Sequence, residues 1–188
     1  MGIYMIFNNT IGIIYNITME LLQKQNLKQI LLNEKIQLGI IYTLAFTIPF
    51  LLKQPQLLIG SIINFILIFS ISKYGLKKIV PVLFLPSLAS FLNGVLFGVF
   101  TPYILYLMPF IILSNLILVL TFKYVKMKYL NVGIAALLKA CFLFSTTYIL
   151  FQTIHIPEIF LTSMGLIQLY TGIIGGGLAT IFLSKNRE

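Results

Sequence analysis

The chain has no aspartate, no tryptophan, one cysteine and one histidine in 188 residues. Each scarcity excludes a kind of chemistry. Cys141 has no partner for an intramolecular disulfide. His155 alone cannot build a metal site of the usual kind, and no H-E-x-x-H is present. There is no G-x-x-x-x-G-K-S/T run, so nucleotide hydrolysis by a P-loop is excluded. A serine or cysteine hydrolase needs a base beside its nucleophile, and the one histidine sits in a loop next to Pro157. These absences point away from an enzyme and imply no cofactor or metal. The carboxylates are Glu20, Glu34, Glu158 and Glu188, and none falls inside an apolar run. Proton-driven transporters relay protons through intramembrane Asp, Glu or His, so their absence here argues against a self-powered proton-coupled transporter. Sodium coupling through carbonyls and hydroxyls stays open.

Apolar side chains are what the chain has in plenty. It is 59% hydrophobic and only 9% charged, with a mean hydropathy of +1.02. Soluble domains are about one quarter charged, so an all-α integral membrane protein is expected. A membrane barrel would need alternating strands of about ten residues, whereas these runs are continuous and longer. The formal net charge of +9 comes from short basic clusters between the runs. That is the pattern of membrane topology, and no stacking or basic-groove pattern suggests nucleic acid.

Six helices are expected to cross the bilayer, over 36–52, 57–72, 79–100, 102–122, 131–152 and 159–183. Pro102 and Pro157 suit first turns, and Pro49, Pro81, Pro86 and Pro109 should bend the helices that contain them. Lys24, Lys28 and Lys35 precede the first crossing. Lys73, Lys77 and Lys78 follow the second, Lys123, Lys126 and Lys128 the fourth, and Lys185 and Arg187 the sixth. The opposite side has Lys53, a turn at Thr101 and a loop with His155 and Glu158. The positive-inside rule then places both termini in the cytoplasm, and the expected location is a bacterial or archaeal plasma membrane, crossed several times. The expected organisation is a lead-in over 1–35, a six-span membrane domain over 36–184 and a tail over 185–188. Residues 1–18 are apolar but contain Asn8, Asn9 and Asn16. They admit a seventh span, an interfacial helix, or a true start at Met19, and the last two are favoured.

Polar residues inside the runs are the candidate site. By depth, at about 1.5 Å per residue, Thr47, Asn64, Asn93, Thr146, Thr147 and Tyr148 fall toward the outside, with Gln168 nearer the middle. Asn115 and Lys139 fall toward the inside. Gly165, Gln168, Gly172, Gly175, Gly176 and Ala179 recur at helical spacing as a small-residue stripe that packs against another helix. Ser90, Gly94 and Gly98 make a second row beside Asn93. These polar groups are either interhelical hydrogen bonds or a convergent ligand site, for which Asn93, Gln168, Tyr148, Thr147, Asn115 and Lys139 are the candidates. For Lys139 two readings stand. It snorkels to the cytoplasmic interface, or it meets Asn115 or an anionic ligand.

LPSLASFLNGVLFG (85–98), TPYILYLMPF (101–110), AALLKACFLF (135–144) and QLYTGIIGGGLA (168–179), set in a six-span layout, resemble the substrate-binding S component of energy-coupling factor (ECF) transporters. The resemblance covers about 36–184. It implies a subunit that binds a vitamin or related small organic molecule near the outer face. It also implies docking on a transmembrane coupling subunit driven by two cytoplasmic ATPases. Characterised members dock through A-x-x-x-A rows. Here the first crossing has Gly39, Thr43 and Thr47 at that spacing and no A-x-x-x-A, and the Ser90, Gly94, Gly98 row is an alternative contact. The competing readings are a small self-sufficient transporter or channel, and a membrane scaffold without a small ligand.

Overall fold

Backbone in lipid must satisfy its own hydrogen bonds, which restricts long apolar runs to helices or closed barrels. The computed structural model describes residues 20, 24, 29, 33–52, 54–94, 97–127 and 130–185, and among them there is no strand. The helices are α1 (Glu34–Leu51), α2 (Gln56–Tyr74), α3 (Leu76–Asn93), α4 (Ile104–Tyr124), α5 (Leu130–Ile154), α6 (Ile159–Met164) and α7 (Leu166–Lys185), with a 3-10 turn at Gly98–Tyr103 before α4. The favoured readings of residues 1–18, and Lys28, Lys53, Lys128 and Arg187, lie outside the described residues.

Among the described residues, five stretches are long and apolar enough to cross a membrane: Gln56–Tyr74, Leu76–Asn93, Gly98–Tyr124, Leu130–Ile154 and Ile159–Lys185. The chain is therefore a multi-pass helical membrane protein. The first expected crossing forms a helix, but it is not among the five. Glu34, Lys35 and Gln37 occupy its opening turn, and its apolar part runs from Leu38 to Leu51, about 21 Å at 1.5 Å per residue. Two other boundaries differ from expectation. The third helix ends at Asn93 rather than near residue 100, because Gly94 takes a left-handed φ of 71° and caps it. Gly98 also has a positive φ, so Ser90, Gly94 and Gly98 do not form a row on one helix face. The last crossing is broken at Gly165, which separates α6 from α7.

The residues up to Ile40 and those from Ile41 onward divide into two units. In the first, Lys24 pairs with Glu20 at 3.1 Å, and Glu34 to Ile40 form the opening turns of α1. In the second, α2 packs most extensively on α7, α4 on α5, and α5 on α7. The α7 glycines explain the close approach. A Cβ on Gly175 would sit 2.8 Å from Phe65 N and 2.9 Å from Asn64 Cβ, against the backbone of α2. On Gly172 it would lie 2.8 Å from Ala136 Cβ of α5, and on Gly176 2.7 Å from Val132 Cγ1. Lipid supplies no hydrophobic drive between helices, so contact of this kind provides much of the association energy. One core cluster joins Ile41 and Ala45 of α1 to Leu67 and Ile68 of α2, Val82 of α3, Leu118 of α4, Ala135 of α5 and Ala179 of α7. A second lies at the other end, around Phe97, Leu107, Leu143, Phe160 and Met164.

At the α2 and α4 ends, Lys73 Nζ lies 5.3 Å from the Tyr74 ring centroid and Lys123 Nζ 5.7 Å from that of Tyr124. Aromatic rings beside lysines are typical of a membrane–water interface.

Replacing Gly175 by Ala is expected to destabilise the protein by about 1–3 kcal/mol, because two of the colliding atoms, the Ser61 carbonyl oxygen and Phe65 N, are backbone. Gly177, with no atom near its absent Cβ, is the control, and Gly177→Ala should melt within error of the parent. Thermal unfolding followed by size-exclusion chromatography in detergent measures both.

Candidate functional site

Lys139 lies nine residues into α5, on the face that carries Ala135, Ala136 and Leu143. Its neighbours are small, so other helices come close, and the side chain is 3% exposed. It does not snorkel. Lys139 Nζ donates to Asn64 Oδ1 of α2 at 2.7 Å and to Asn115 Oδ1 of α4 at 2.9 Å. The contact with Asn115 is one of the readings open from the sequence. The contact with Asn64 corrects the expectation that this residue belongs to the outer group. Asn64 lies ten residues from the Tyr74 end of α2, about 15 Å, and the long lysine stem closes the remaining distance.

Each asparagine is held from behind. Asn115 Nδ2 donates to the Leu83 carbonyl of α3 at 2.9 Å. That carbonyl can only accept, so the amide's oxygen has to face the lysine. Asn64 Nδ2 donates to Thr171 Oγ1 at 3.0 Å, and Thr171 Oγ1 donates in turn to the Gln168 carbonyl of α7 at 3.1 Å. Thr171 is fully buried and sits on the same helix as the glycine stripe. Five helices thus contribute to one hydrogen-bonded chain, and among the described residues no carboxylate belongs to it.

Above this network lies a cavity of about 90 Å³. Lys139, Asn64 and Asn115 form its polar floor. Ile59, Ile63, Ile104, Ile111 and Met164 make an apolar wall, and Gln56, Ser87, Ser90 and Gln168 add polar groups. Pro49, Gln56 and Phe97 line the part nearest the helix ends. Pro86 borders it on α3, where a residue without an N–H leaves the Val82 carbonyl without its usual partner.

The other candidates lie elsewhere. Asn93 is half-buried and does not line the cavity. Its Nδ2 donates to the carbonyl of Phe50, and to that of Pro49 at 3.5 Å. Those are carbonyls of the last turn of α1, which have no helical partner of their own, so Asn93 caps α1. Tyr148 is 49% exposed, faces away from the bundle and stacks on Phe144 at 6.4 Å. Thr147 is buried without lining the cavity, and among the described residues its Oγ1 has no hydrogen-bond partner. Gly39 and Thr43 are exposed on α1, Gly94 caps α3, and Ser90 borders the cavity. His155 is exposed, with a positive φ of 53° where α5 ends.

Sequence reasoning missed Thr171, Gln56 and Ser87. Thr171 carries a usable signal, since it stands one residue before Gly172 in the packing stripe, where a hydroxyl faces another helix.

Asn64→Leu is expected to cost about 1–3 kcal/mol, because it leaves the buried amino group short of an acceptor. Adding Lys139→Met should recover part of that loss, since removing both partners of a buried polar pair is milder than removing one. Costs of Asn64→Leu and Lys139→Met that simply add in the double variant would show that the bond contributes nothing. Comparison of the chain with family models, with curated proteins and with solved structures finds no match.

Proposed function

We propose that this protein is the substrate-binding membrane subunit of an ATP-driven uptake transporter for a vitamin or related small organic molecule. The observation that carries this reading is a cavity with a polar floor in mid-bundle, in a chain with no nucleotide-binding motif. Pockets for small molecules are mostly apolar, with a few well-placed polar groups, and this one has that make-up. A binding subunit of the ECF type works with a separate transmembrane coupling subunit and two cytoplasmic ATPases. That division of labour is consistent with a chain that offers a site but no source of energy.

On this reading α1 completes a sixth crossing. Its buried stripe of Ile41, Ala45 and Pro49 follows one helix face, and Lys35 can extend toward the interface. Both termini then face the cytoplasm, on the side of Lys73, Lys77, Lys78, Lys123, Lys126 and Lys185. The cavity mouth, near Pro49, Gln56 and Phe97, faces outward. The exposed Gly39 and Thr43 remain available to a coupling subunit.

The test is mass spectrometry of small molecules released when the purified protein is denatured, paired with co-purification of a coupling subunit. A stoichiometric metabolite and a captured coupling subunit are expected. Solute movement by the protein alone in liposomes would instead establish a self-sufficient transporter. Gln168→Leu should lower the retained metabolite by roughly tenfold or more, whereas Tyr148→Phe, on the outward face, should leave it unchanged.

A further inference from the structure

We propose that the cavity receives a compact organic monoanion whose carboxylate seats on Lys139 Nζ. This rests on the binding-subunit reading and names the substrate class of that same site.

The argument begins with the donors of the amino group. An ammonium carries three N–H bonds. Two are directed at Asn64 Oδ1 and Asn115 Oδ1. The third has no acceptor within hydrogen-bond distance among the described residues, and Lys139 borders the cavity. Both acceptors in place are neutral amides, and no carboxylate among the described residues lines the cavity. Burying a cation is costly unless a counter-charge pairs with it, and the open side of Nζ is where a ligand can supply one.

Charge then selects among anions. Among the described residues, Lys139 is the one cationic residue lining the cavity. A monoanion balances it, whereas a phosphate dianion would bring an uncompensated negative charge into the bundle. Size selects further. A cavity of about 150 Å³ accommodates benzene, and this one is smaller, at about 90 Å³. It therefore fits a short organic acid, or the acid end of a longer one extending toward Gln56 and Phe97. Ile59, Ile63, Ile104 and Ile111 suit an aliphatic chain, and Gln168 and Ser90 suit one hydroxyl or keto oxygen. The receiving geometry is preorganised. Leu83 and Thr171 fix the two asparagine amides, so the amino group is held before any ligand arrives.

The experiment is titration calorimetry on the full chain in lipid nanodiscs, in chloride buffer free of other carboxylates. The probes are propionate and lactate, their amides propionamide and lactamide, and inorganic phosphate. The carboxylates are expected to bind roughly ten- to hundredfold tighter than the matched amides, the range of a hydrogen bond to a charged group. Lys139→Met should abolish that preference. If that variant does not fold, the acid–amide comparison on the unmodified protein decides alone. Amides that bind as tightly as the acids overturn the proposal, as do preferential binding of phosphate and binding of no probe at all. A neutral metabolite released from the purified protein would overturn the carboxylate assignment and leave the binding-subunit reading intact. Absence of both metabolite and coupling subunit would defeat that reading itself.

Discussion

An amino group in the middle of an apolar bundle has to be given hydrogen-bond acceptors, and much of this structure follows from how Lys139 obtains them. Its two acceptors come from different helices, Asn64 of α2 and Asn115 of α4. Each asparagine is oriented in turn by a third and a fourth helix, through the Leu83 carbonyl of α3 and Thr171 of α7. Because the amides are locked from behind, their oxygens cannot rotate away. The network therefore sets the register of α2, α3, α4, α5 and α7 at one depth. Apolar packing alone tolerates sliding along a helix, and directional polar bonds do not.

The glycines of α7 make that arrangement sterically possible. Asn64 meets Thr171 only because Gly175 lets α7 approach the backbone of α2. The same stripe brings α7 against Ala136 and Val132 of α5, close to the base of Lys139. Small residues and polar residues thus act together: the first permit close approach, and the second use it. The cavity is what remains above the network, where Pro86 and the isoleucines of α2 and α4 keep the helices from closing completely. In the proposed function, this is the space a substrate enters, with the lysine at its deepest point.

Several features were legible without coordinates because they depend on composition and local pattern. Mean hydropathy and span-length apolar runs indicate a helical membrane protein, since no other open structure satisfies its backbone in lipid. The recurrence from Gly165 to Ala179 marks a packing face. The pairing of Asn115 with Lys139 could be anticipated from their similar depths on consecutive helices. Asn64 was harder to place. It lies ten residues from Tyr74, near mid-helix, where position along α2 alone does not show which neighbouring helix its amide meets. Asn93 was misleading for a related reason, because capping α1 depends on where α1 ends in space.

By itself, the sequence determined that the chain lives in a bilayer, that it is built of helices, and that no carboxylate inside an apolar run could pair with Lys139. Those conclusions follow from which residue types are present and from transfer energies that act residue by residue. Only the tertiary structure decided which helices meet at Lys139, that Thr171 and Leu83 orient its partners, and that Gln168 and Ser90 share a cavity while Asn93 and Tyr148 do not. Contacts between residues as far apart as 64 and 171 depend on helix rotation and crossing. Those are set by the packing of all the helices together and are not encoded in any one of them.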